Sequence, residues 1–245
     1  MNARQLLLFS NSRNPDGVFL GHARGAIQAQ LGGVQRVLFV PFAGVTISLN
    51  DYAVLVRQAF SAWGMQVDSL HDDPSPLRAV QSAEAIVVGG GNTFRLLERL
   101  QHHQLLGAIR DRVRAGVPYI GWSAGSVLTG PTIGTTNDMP IVAPIGFEAL
   151  GLVDFQINAH FTNAHPPGFR GETRRERLAE YLVLNPGARV AGLPEGSWLR
   201  VAGAEITLDG PHAAPCFSSA GERVLQAGCA VHNILEPGGA PQLPF

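Results

Sequence analysis

The residues Gly121-Trp122-Ser123-Ala124-Gly125 form a G-x-S-x-G pattern, which is typical of a serine nucleophile on a tight strand-to-helix turn. An apolar run at residues 118–122 precedes the serine, and small residues that can begin a helix follow it. Glycines avoid steric clashes in such a turn, and free N–H groups at the start of the helix can bind an oxyanion. Ser123 is therefore predicted to be a catalytic nucleophile.

Eight histidines could supply the base that such a serine requires. His160 is the strongest candidate, because it follows a predicted strand at residues 153–157 and lies among the polar residues Asn158, Thr162 and Asn163. Catalytic groups of α/β enzymes commonly lie where strands end. His160 is predicted to be the general base, and a structural hydrogen-bonding role is the alternative.

Two carboxylates could orient this base. Glu195 follows a predicted buried strand at residues 190–193 and should project from the same edge of the sheet. Asp138 lies in the loop sequence T-T-N-D-M-P. Each also has a structural interpretation: Glu195 could be a turn carboxylate before Gly196, and Asp138 could form an Asx-type turn. Both acids stay candidates on the residues alone.

A glycine-rich run, Gly89-Gly90-Gly91-Asn92, follows another predicted strand at residues 85–88. It lacks the G-x-G-x-x-G spacing of a dinucleotide-binding loop, which argues against NAD binding. Backbone without side chains can instead approach a ligand closely. The N–H groups of Gly91 and Ala124 are predicted to form an oxyanion hole, and Asn92 is predicted to contact the substrate.

Strand and helix patterns alternate over the first 130 residues. Buried strands are predicted at residues 5–10, 36–41, 65–70, 85–88 and 118–122, and helices at residues 16–31, 49–63, 76–82, 93–100 and 104–115. This alternation predicts an α/β fold with a mostly parallel sheet and helices on both faces. Ligands of such sheets bind at the carboxyl ends of the strands, where Ser123 lies.

The second half of the chain is less regular. After the strand at residues 153–157, a helix is predicted at residues 173–184 and a strand at residues 190–193. Short strands between glycine turns follow, at residues 198–201, 205–208, 214–218 and 223–225, and predict a small C-terminal antiparallel β region. Residues 1–235 are expected to form one domain, with residues 236–245 as a Pro/Gly-rich tail.

Composition argues against several function classes. The chain has 45% hydrophobic and 15% charged residues and a net charge of −1, which describes a globular protein without a basic footprint for nucleic acid. All 18 basic residues are arginine, so a P-loop lysine, a Schiff-base lysine and a Ser-Lys dyad are excluded. The two cysteines, Cys216 and Cys229, are expected to be reduced and buried, and a single disulfide between them is the alternative. Neither a signal peptide nor a membrane span is visible, so a cytoplasmic location is expected.

Six blocks, in order along the chain, carry a resemblance to a known family. They are I-V-V-G-G-G-N-T-F, Y-I-G-W-S-A-G, P-T-I-x-T-T-N-D-M-P-I-V, I-N-A-H-F-T-N, G-E-T-R and G-L-P-E-G. Together with S-N-S near the N-terminus and V-P-F-A-G-V-T at residues 40–46, they closely resemble the α-aspartyl dipeptidases (peptidase E) of serine peptidase family S51. The resemblance covers about residues 5–230, nearly the whole chain.

The resemblance implies a fold similar to the class I glutamine amidotransferases, and metal-independent hydrolysis of Asp-Xaa dipeptides in the cytoplasm without a cofactor. It implies Ser123 as nucleophile and His160 as base. Either Glu195 or Asp138 would be the third member. The chain order of amidotransferase-like folds favours Glu195. A cyanophycinase-like hydrolase of β-aspartyl-arginine links and a non-catalytic ligand-binding protein are the alternatives.

A substrate with an acidic side chain needs a fixed cation, which must be arginine in this chain. Arg174 is the first choice, because it begins the helix after the His160 loop and matches G-E-T-R. The alternatives are Arg170 and an arginine of a second subunit, should the protein form a homodimer. Glu172, Asp138 or backbone carbonyls would accept hydrogen bonds from the substrate's α-amino group. The expected partner is thus a small dipeptide, without nucleic acid, membrane or metal.

Overall fold

The computed structural model describes residues 4–232, so the tail predicted at residues 236–245 lies outside the described residues. The strands are β1 (Gln5–Phe9), β2 (Arg36–Val40), β3 (Gln66–Ser69), β4 (Ile86–Val88), β5 (Tyr119–Trp122), β6 (Gln156–Ala159), β7 (Arg189–Leu193), β8 (Trp198–Ala202), β9 (Glu205–Asp209), β10 (Ala214–Ser218), β11 (Gly221–Leu225) and β12 (Ala230–Val231). The α-helices are α1 (Arg24–Gln30), α2 (Leu49–Ser61), α3 (Pro76–Ser82), α4 (Thr93–His102), α5 (Leu106–Arg114), α6 (Ala124–Val127) and α7 (Arg174–Leu184).

The larger sheet has eight strands in the order β12-β9-β8-β1-β5-β4-β2-β3. The five strands from β1 to β3 in this order are parallel, whereas β8, β9 and β12 run antiparallel to their neighbours. Phe9 at the end of β1 lies opposite Trp122 at the end of β5, and Val88 at the end of β4 lies opposite Gly121. The carboxyl ends of β1, β5 and β4 therefore lie side by side.

Helices cover both faces of the parallel strands, which explains their nearly continuous apolar sequences. Successive residues of β1 point to opposite faces. Leu6 and Leu8 pack in the core that includes α4, α5 and α6, while Leu7 and Phe9 pack in the core that includes α1 and α2. The predicted α/β class with a mostly parallel sheet and helices on both faces is confirmed.

A second sheet has four strands in the order β11-β10-β7-β6. Strands β6 and β7 are parallel neighbours, and β10 and β11 are antiparallel. One face of this sheet joins the core of the larger sheet through residues such as Ile157 and Leu193, and α7 packs on the other face against Val190 and Phe217. The predicted antiparallel region is thus divided, since β8, β9 and β12 extend the larger sheet while β10 and β11 belong to the smaller one.

Two predicted elements begin three or more residues away from their position in the structure. Helix α1 begins at Arg24 rather than near Asp16, because Gly17 and Leu20 have positive φ angles of 71° and 53° and the intervening chain forms turns. Strand β6 begins at Gln156, three residues later than predicted, because its pairing with β7 spans Gln156 to Ala159. This shift places His160 directly after the strand.

Within residues 4–232, each helix is too short or too polar to cross a membrane. Both cysteines are free, but the prediction that both are buried is wrong for one of them. Cys216 is buried, and burial raises the pKa of its thiol to about 12. Cys229 is exposed, because it lies in the turn that leads from β11 to β12.

A pH dependence of stability follows from His22, which packs near the rings of Phe9 and Trp198. Neither ring nitrogen has a hydrogen-bond partner among the described residues, and burial lowers the pKa of His22. The unfolded chain therefore binds this proton at a higher pH than the folded chain. The free energy of unfolding should fall as the pH drops below the ordinary histidine pKa of about 6.5.

Replacing His22 with glutamine removes this proton-binding group. We expect urea unfolding at about pH 7.5 and about pH 5.5 to show a smaller loss of stability for His22→Gln than for the unsubstituted chain. Equal losses in the two proteins would contradict this role for His22.

Candidate active site

Ser123 lies on a strained turn between β5 and α6. Its φ angle is 53°, a left-handed conformation that is rare for residues other than glycine and typical of a nucleophile elbow. A Cβ atom at Gly121 would lie 2.5 Å from the carbonyl oxygen of Gly125, so the turn needs glycine there. The Ser123 N–H donates to the Phe9 carbonyl of β1 at 3.0 Å, which anchors the turn to the neighbouring strand.

A chain of two hydrogen bonds joins Ser123, His160 and Glu195. The Nε2 atom of His160 lies 2.9 Å from Ser123 Oγ, and its Nδ1 atom lies 2.7 Å from Glu195 Oε1. The Glu195 side chain is 62% exposed and that of His160 is 38% exposed, so solvent reaches this end of the chain. The structure thus brings together the predicted nucleophile, base and one of the two candidate acids.

The ends of β6 and β7 hold the histidine and the glutamate in position. Ala159 and Leu193 lie opposite each other in these parallel strands, so the residues that follow project from the same edge. His160 has a φ angle of 54°, which turns its ring away from the path of the strand. Its side chain can therefore reach across to the elbow of the larger sheet.

Two polar residues that follow β1 contact the chain at these strand ends, and neither was among the predicted site residues. The Ser10 hydroxyl accepts the His160 N–H at 2.9 Å and donates to the Leu193 carbonyl at 2.7 Å. The Asn11 side-chain oxygen accepts the N–H of Gly196 at 2.8 Å. Their signal in the sequence was a pair of polar residues directly after a buried strand, in the S-N-S block.

Asp138 has no hydrogen bond to His160 in the structure, and one of its carboxylate oxygens is held by two threonines. Its Oδ2 atom accepts hydrogen bonds from the Thr93 N–H at 2.7 Å, the Thr93 hydroxyl at 2.5 Å and the Thr136 hydroxyl at 3.1 Å. The carboxylate thereby satisfies the first N–H group of α4, where a negative charge is favourable. Of the two candidate acids, Glu195 is the one that lies against the base.

The predicted oxyanion donors are the N–H groups of Gly91, in the loop after β4, and of Ala124, directly after Ser123. No hydrogen-bond acceptor is found for either group among residues 4–232. Gly91 has a φ angle of 137°, and a Cβ atom there would collide with the Ala43 carbonyl. A Cβ atom at Gly90 would lie 3.0 Å from Ser123 Cβ, so this loop packs directly against the elbow.

A pocket of about 210 Å³ opens beside Ser123 and His160. Arg174 reaches it from the first turn of α7, where its Nη1 atom donates to the carbonyl oxygens of Ala159 and His160. Burial lowers the pKa of Arg174, the charge of Arg177 lowers it further and that of Glu195 opposes the shift. The pocket is lined by Thr93, Ser123, Ala124, Val127, Thr136, Asn137, Asp138, Ala159, His160 and Arg174.

Asn92 and Glu172, which are also predicted to bind the substrate, are not among the described residues that line this pocket. The Asn92 side chain caps α4 by accepting the Arg95 N–H at 3.0 Å, and its amide donates to the Met139 carbonyl at 2.8 Å. The exposed carboxylate of Glu172 lies 3.7 Å from Arg177. In the structure Asn92 therefore caps a helix, and Glu172 lies at the exposed surface.

Serine hydrolases contain a serine that is hydrogen-bonded to a histidine, and this histidine is in turn hydrogen-bonded to a carboxylate. The histidine can accept the serine proton while the carboxylate stabilises the imidazolium form. The described residues contain no cluster of three or more histidine, cysteine, aspartate or glutamate side chains placed to hold a metal ion. The fold and the site together define the protein class as an α/β serine hydrolase.

The family model of peptidase family S51 matches residues 6–209. Peptidase E of Salmonella arizonae and peptidase E of Salmonella typhimurium (strain LT2) are each 48% identical to this chain over 225 residues, which cover 91% of this chain and 98% of the relative. The chain belongs to peptidase family S51. It is a serine-type peptidase, and the resemblance drawn from the six sequence blocks is confirmed.

Solved structures agree with the fold. A protein from Listeria monocytogenes EGD-e assigned to peptidase E has a TM-score of 0.63 at 21% identity, covering 85% of this chain and 99% of its own. A peptidase from an acI-B1 actinobacterium has a TM-score of 0.68 at 18% identity, covering 94% of this chain and 96% of its own. At these identities the likeness concerns the fold.

Matched substitutions can distinguish the role of Glu195 from that of Asp138. If Glu195 stabilises the imidazolium form of His160, Glu195→Gln removes that charge, and we expect kcat to fall by about 10²-fold or more with little change in KM. Asp138→Asn leaves His160 bonded to Glu195, so kcat should fall far less. Steady-state kinetics on one dipeptide substrate measures both. A larger loss of kcat in Asp138→Asn than in Glu195→Gln would contradict the assignment of Glu195.

Proposed function

We propose that this peptidase hydrolyses dipeptides with an N-terminal aspartate, Asp-Xaa, through an acyl-enzyme on Ser123. The observation that carries the proposal is the hydrogen-bonded chain from Ser123 through His160 to Glu195, next to a pocket that contains Arg174. The 48% identity to proteins named peptidase E supports the same activity.

In the proposed first half-reaction, Ser123 Oγ attacks the carbonyl carbon of the aspartyl residue while His160 Nε2 takes the hydroxyl proton. The negative oxygen of the tetrahedral intermediate accepts hydrogen bonds from the N–H groups of Gly91 and Ala124. Losing one such donor typically costs about 3–4 kcal/mol of transition-state stabilisation. His160 then protonates the leaving amine as the C–N bond breaks, which leaves an aspartyl ester on Ser123.

In the proposed second half-reaction, water attacks the ester. His160 accepts a proton from the water and returns it to Ser123 Oγ as the ester bond breaks. Glu195 keeps the ring in one orientation throughout, because its bond to Nδ1 leaves Nε2 facing the serine. The solvent exposure of the His160–Glu195 pair is compatible with entry of this water.

Arg174 is the proposed ligand for the substrate's side-chain carboxylate. Its two backbone hydrogen bonds both use Nη1, so Nη2 and Nε can face the substrate. A guanidinium binds a carboxylate through two parallel hydrogen bonds, and partial burial strengthens the interaction by reducing screening by water. Asp138 lines the same pocket and is the proposed acceptor for the α-amino group.

The nucleophile is tested by Ser123→Ala. We expect hydrolysis of Asp-Leu to fall by at least about 10³-fold, because the variant lacks the oxygen that forms the proposed acyl-enzyme. Unfolding by heat should show that the variant is folded. Retained turnover of Asp-Leu would contradict the mechanism. Faster hydrolysis of β-Asp-Arg than of Asp-Leu by the unsubstituted enzyme would instead favour the cyanophycinase-like alternative.

The specificity is tested by Arg174→Gln. We expect the preference for Asp-Leu over Asn-Leu, expressed as a ratio of kcat/KM values, to fall by about 10–100-fold, since the charged hydrogen bonds to the substrate carboxylate are lost. Arg175→Gln is the matched control, because Arg175 pairs with Glu222 away from this pocket. An unchanged ratio in Arg174→Gln would show that another residue selects aspartate.

A further inference from the structure

The glycine-rich loop after β4 rests on a buried tyrosine of α2. Tyr52 Oη donates a hydrogen bond to the carbonyl oxygen of Gly90 at 3.1 Å and accepts one from Trp122 Nε1 at 2.9 Å. The ring packs edge-on against Phe39, and a Cβ atom at Gly89 would lie 2.7 Å from the Tyr52 oxygen. Burial raises the pKa of Tyr52, so its hydroxyl stays protonated and can donate.

The Gly90 carbonyl belongs to the same peptide unit as the Gly91 N–H. This unit is trans, as are all peptide bonds among the described residues, so its C=O and N–H point in opposite directions. A hydrogen bond that holds the carbonyl towards Tyr52 therefore directs the N–H away from Tyr52. The orientation of one oxyanion donor thus depends on a side chain from a different helix.

The backbone hydrogen bonds on either side of the Gly90–Gly91 peptide unit do not fix the orientation of that unit. The Gly89 N–H donates to the Val40 carbonyl at 3.1 Å and the Asn92 N–H donates to the Ala43 carbonyl at 2.8 Å, so the loop is anchored on both sides. Between these anchors, rotation of the unit changes only ψ of Gly90 and φ of Gly91, and glycine tolerates both signs of φ. Within residues 4–232, the side chain that forms a hydrogen bond with this peptide unit is that of Tyr52.

The second oxyanion donor is held differently. The carbonyl that shares a peptide unit with the Ala124 N–H is that of Ser123, which accepts hydrogen bonds from Ser126 at 2.9 Å and Val127 at 3.0 Å within the first turn of α6. The helix backbone alone directs this donor. Only the Gly91 donor needs a side chain for the same purpose.

We propose that Tyr52 is a positioning residue for the reaction, which sets the orientation of the Gly91 N–H through its hydrogen bond to the Gly90 carbonyl. A hydroxyl that donates to a carbonyl also polarises the amide, and the bond from Trp122 Nε1 polarises the hydroxyl in turn. These two hydrogen bonds connect the glycine-rich loop to Trp122, the residue directly before Ser123. This inference rests on the proposed acyl-enzyme function of Ser123.

The chain offers a matched control in Tyr119. Its hydroxyl is also buried and donates to a carbonyl, that of Gly125, at 2.6 Å. The peptide unit of that carbonyl carries the Ser126 N–H, which is bonded to the Ser123 carbonyl and is not an oxyanion donor. Tyr119→Phe therefore removes an equally buried hydroxyl while leaving the oriented Gly91 N–H intact.

The experiment compares Tyr52→Phe, Tyr119→Phe and the unsubstituted enzyme. For Tyr52→Phe we expect kcat on Asp-Leu to fall by about 10–100-fold with KM changed less than about threefold, since the oxyanion forms only after binding. An aspartyl aldehyde, which forms a tetrahedral adduct with the serine, should bind more weakly by a similar factor, whereas free aspartate should bind equally well. Tyr119→Phe should keep kcat within about threefold, and thermal unfolding should show that both variants are folded.

A purely structural role for Tyr52 predicts a different pattern. Equal losses of kcat in the two variants, a change confined to KM, or unchanged aldehyde binding by Tyr52→Phe would each overturn the inference. The rate of phosphonylation of Ser123 by a fluorophosphonate gives the same comparison without any Asp-Xaa substrate. A slower rate in Tyr52→Phe alone supports the inference even if the enzyme proves not to cleave Asp-Leu, so the two proposals fail separately.

Discussion

The buried hydroxyl of Ser10 joins the two sheets where the candidate site lies. Ser10 follows β1 of the larger sheet, yet it bonds to the backbone of His160 after β6 and to that of Leu193 at the end of β7. Its own N–H donates to the Ser197 carbonyl at 3.0 Å. Within residues 4–232 no strand belongs to both sheets, so this junction and the shared core set the distance between Ser123 on one sheet and His160 on the other.

Much of the fold could be predicted from periodicity, because the parallel strands are buried on both faces and their apolar runs are bounded by loop residues such as asparagine, proline and glycine. The predictions for β1, β2, β4 and β5 match the structure to within one residue. The division of the later strands between two sheets could not be predicted. Short strands such as β8 and β10 have similar local patterns, and which neighbour each one pairs with is decided by long-range packing.

The candidate nucleophile and base could be predicted because a strained elbow and a polar strand end have local signatures. The choice between Glu195 and Asp138 could not be, since it depends on which strand lies beside β6 and on the two threonines that hold Asp138. The positioning role proposed for Tyr52 could not be predicted either, for another reason. It lies on the apolar stripe of α2, where a sequence pattern indicates a core residue and gives no sign of the carbonyl that its hydroxyl meets.

We propose that Ser123, activated by His160, is the nucleophile of this peptidase. The most direct measurement is to treat the enzyme with a fluorophosphonate and to locate the modified residue by mass spectrometry of its peptides. We expect stoichiometric modification at Ser123, with a rate reduced by at least about 10²-fold in His160→Ala, because the serine then lacks its base. Modification of a different serine, or an equal rate in His160→Ala, would contradict it.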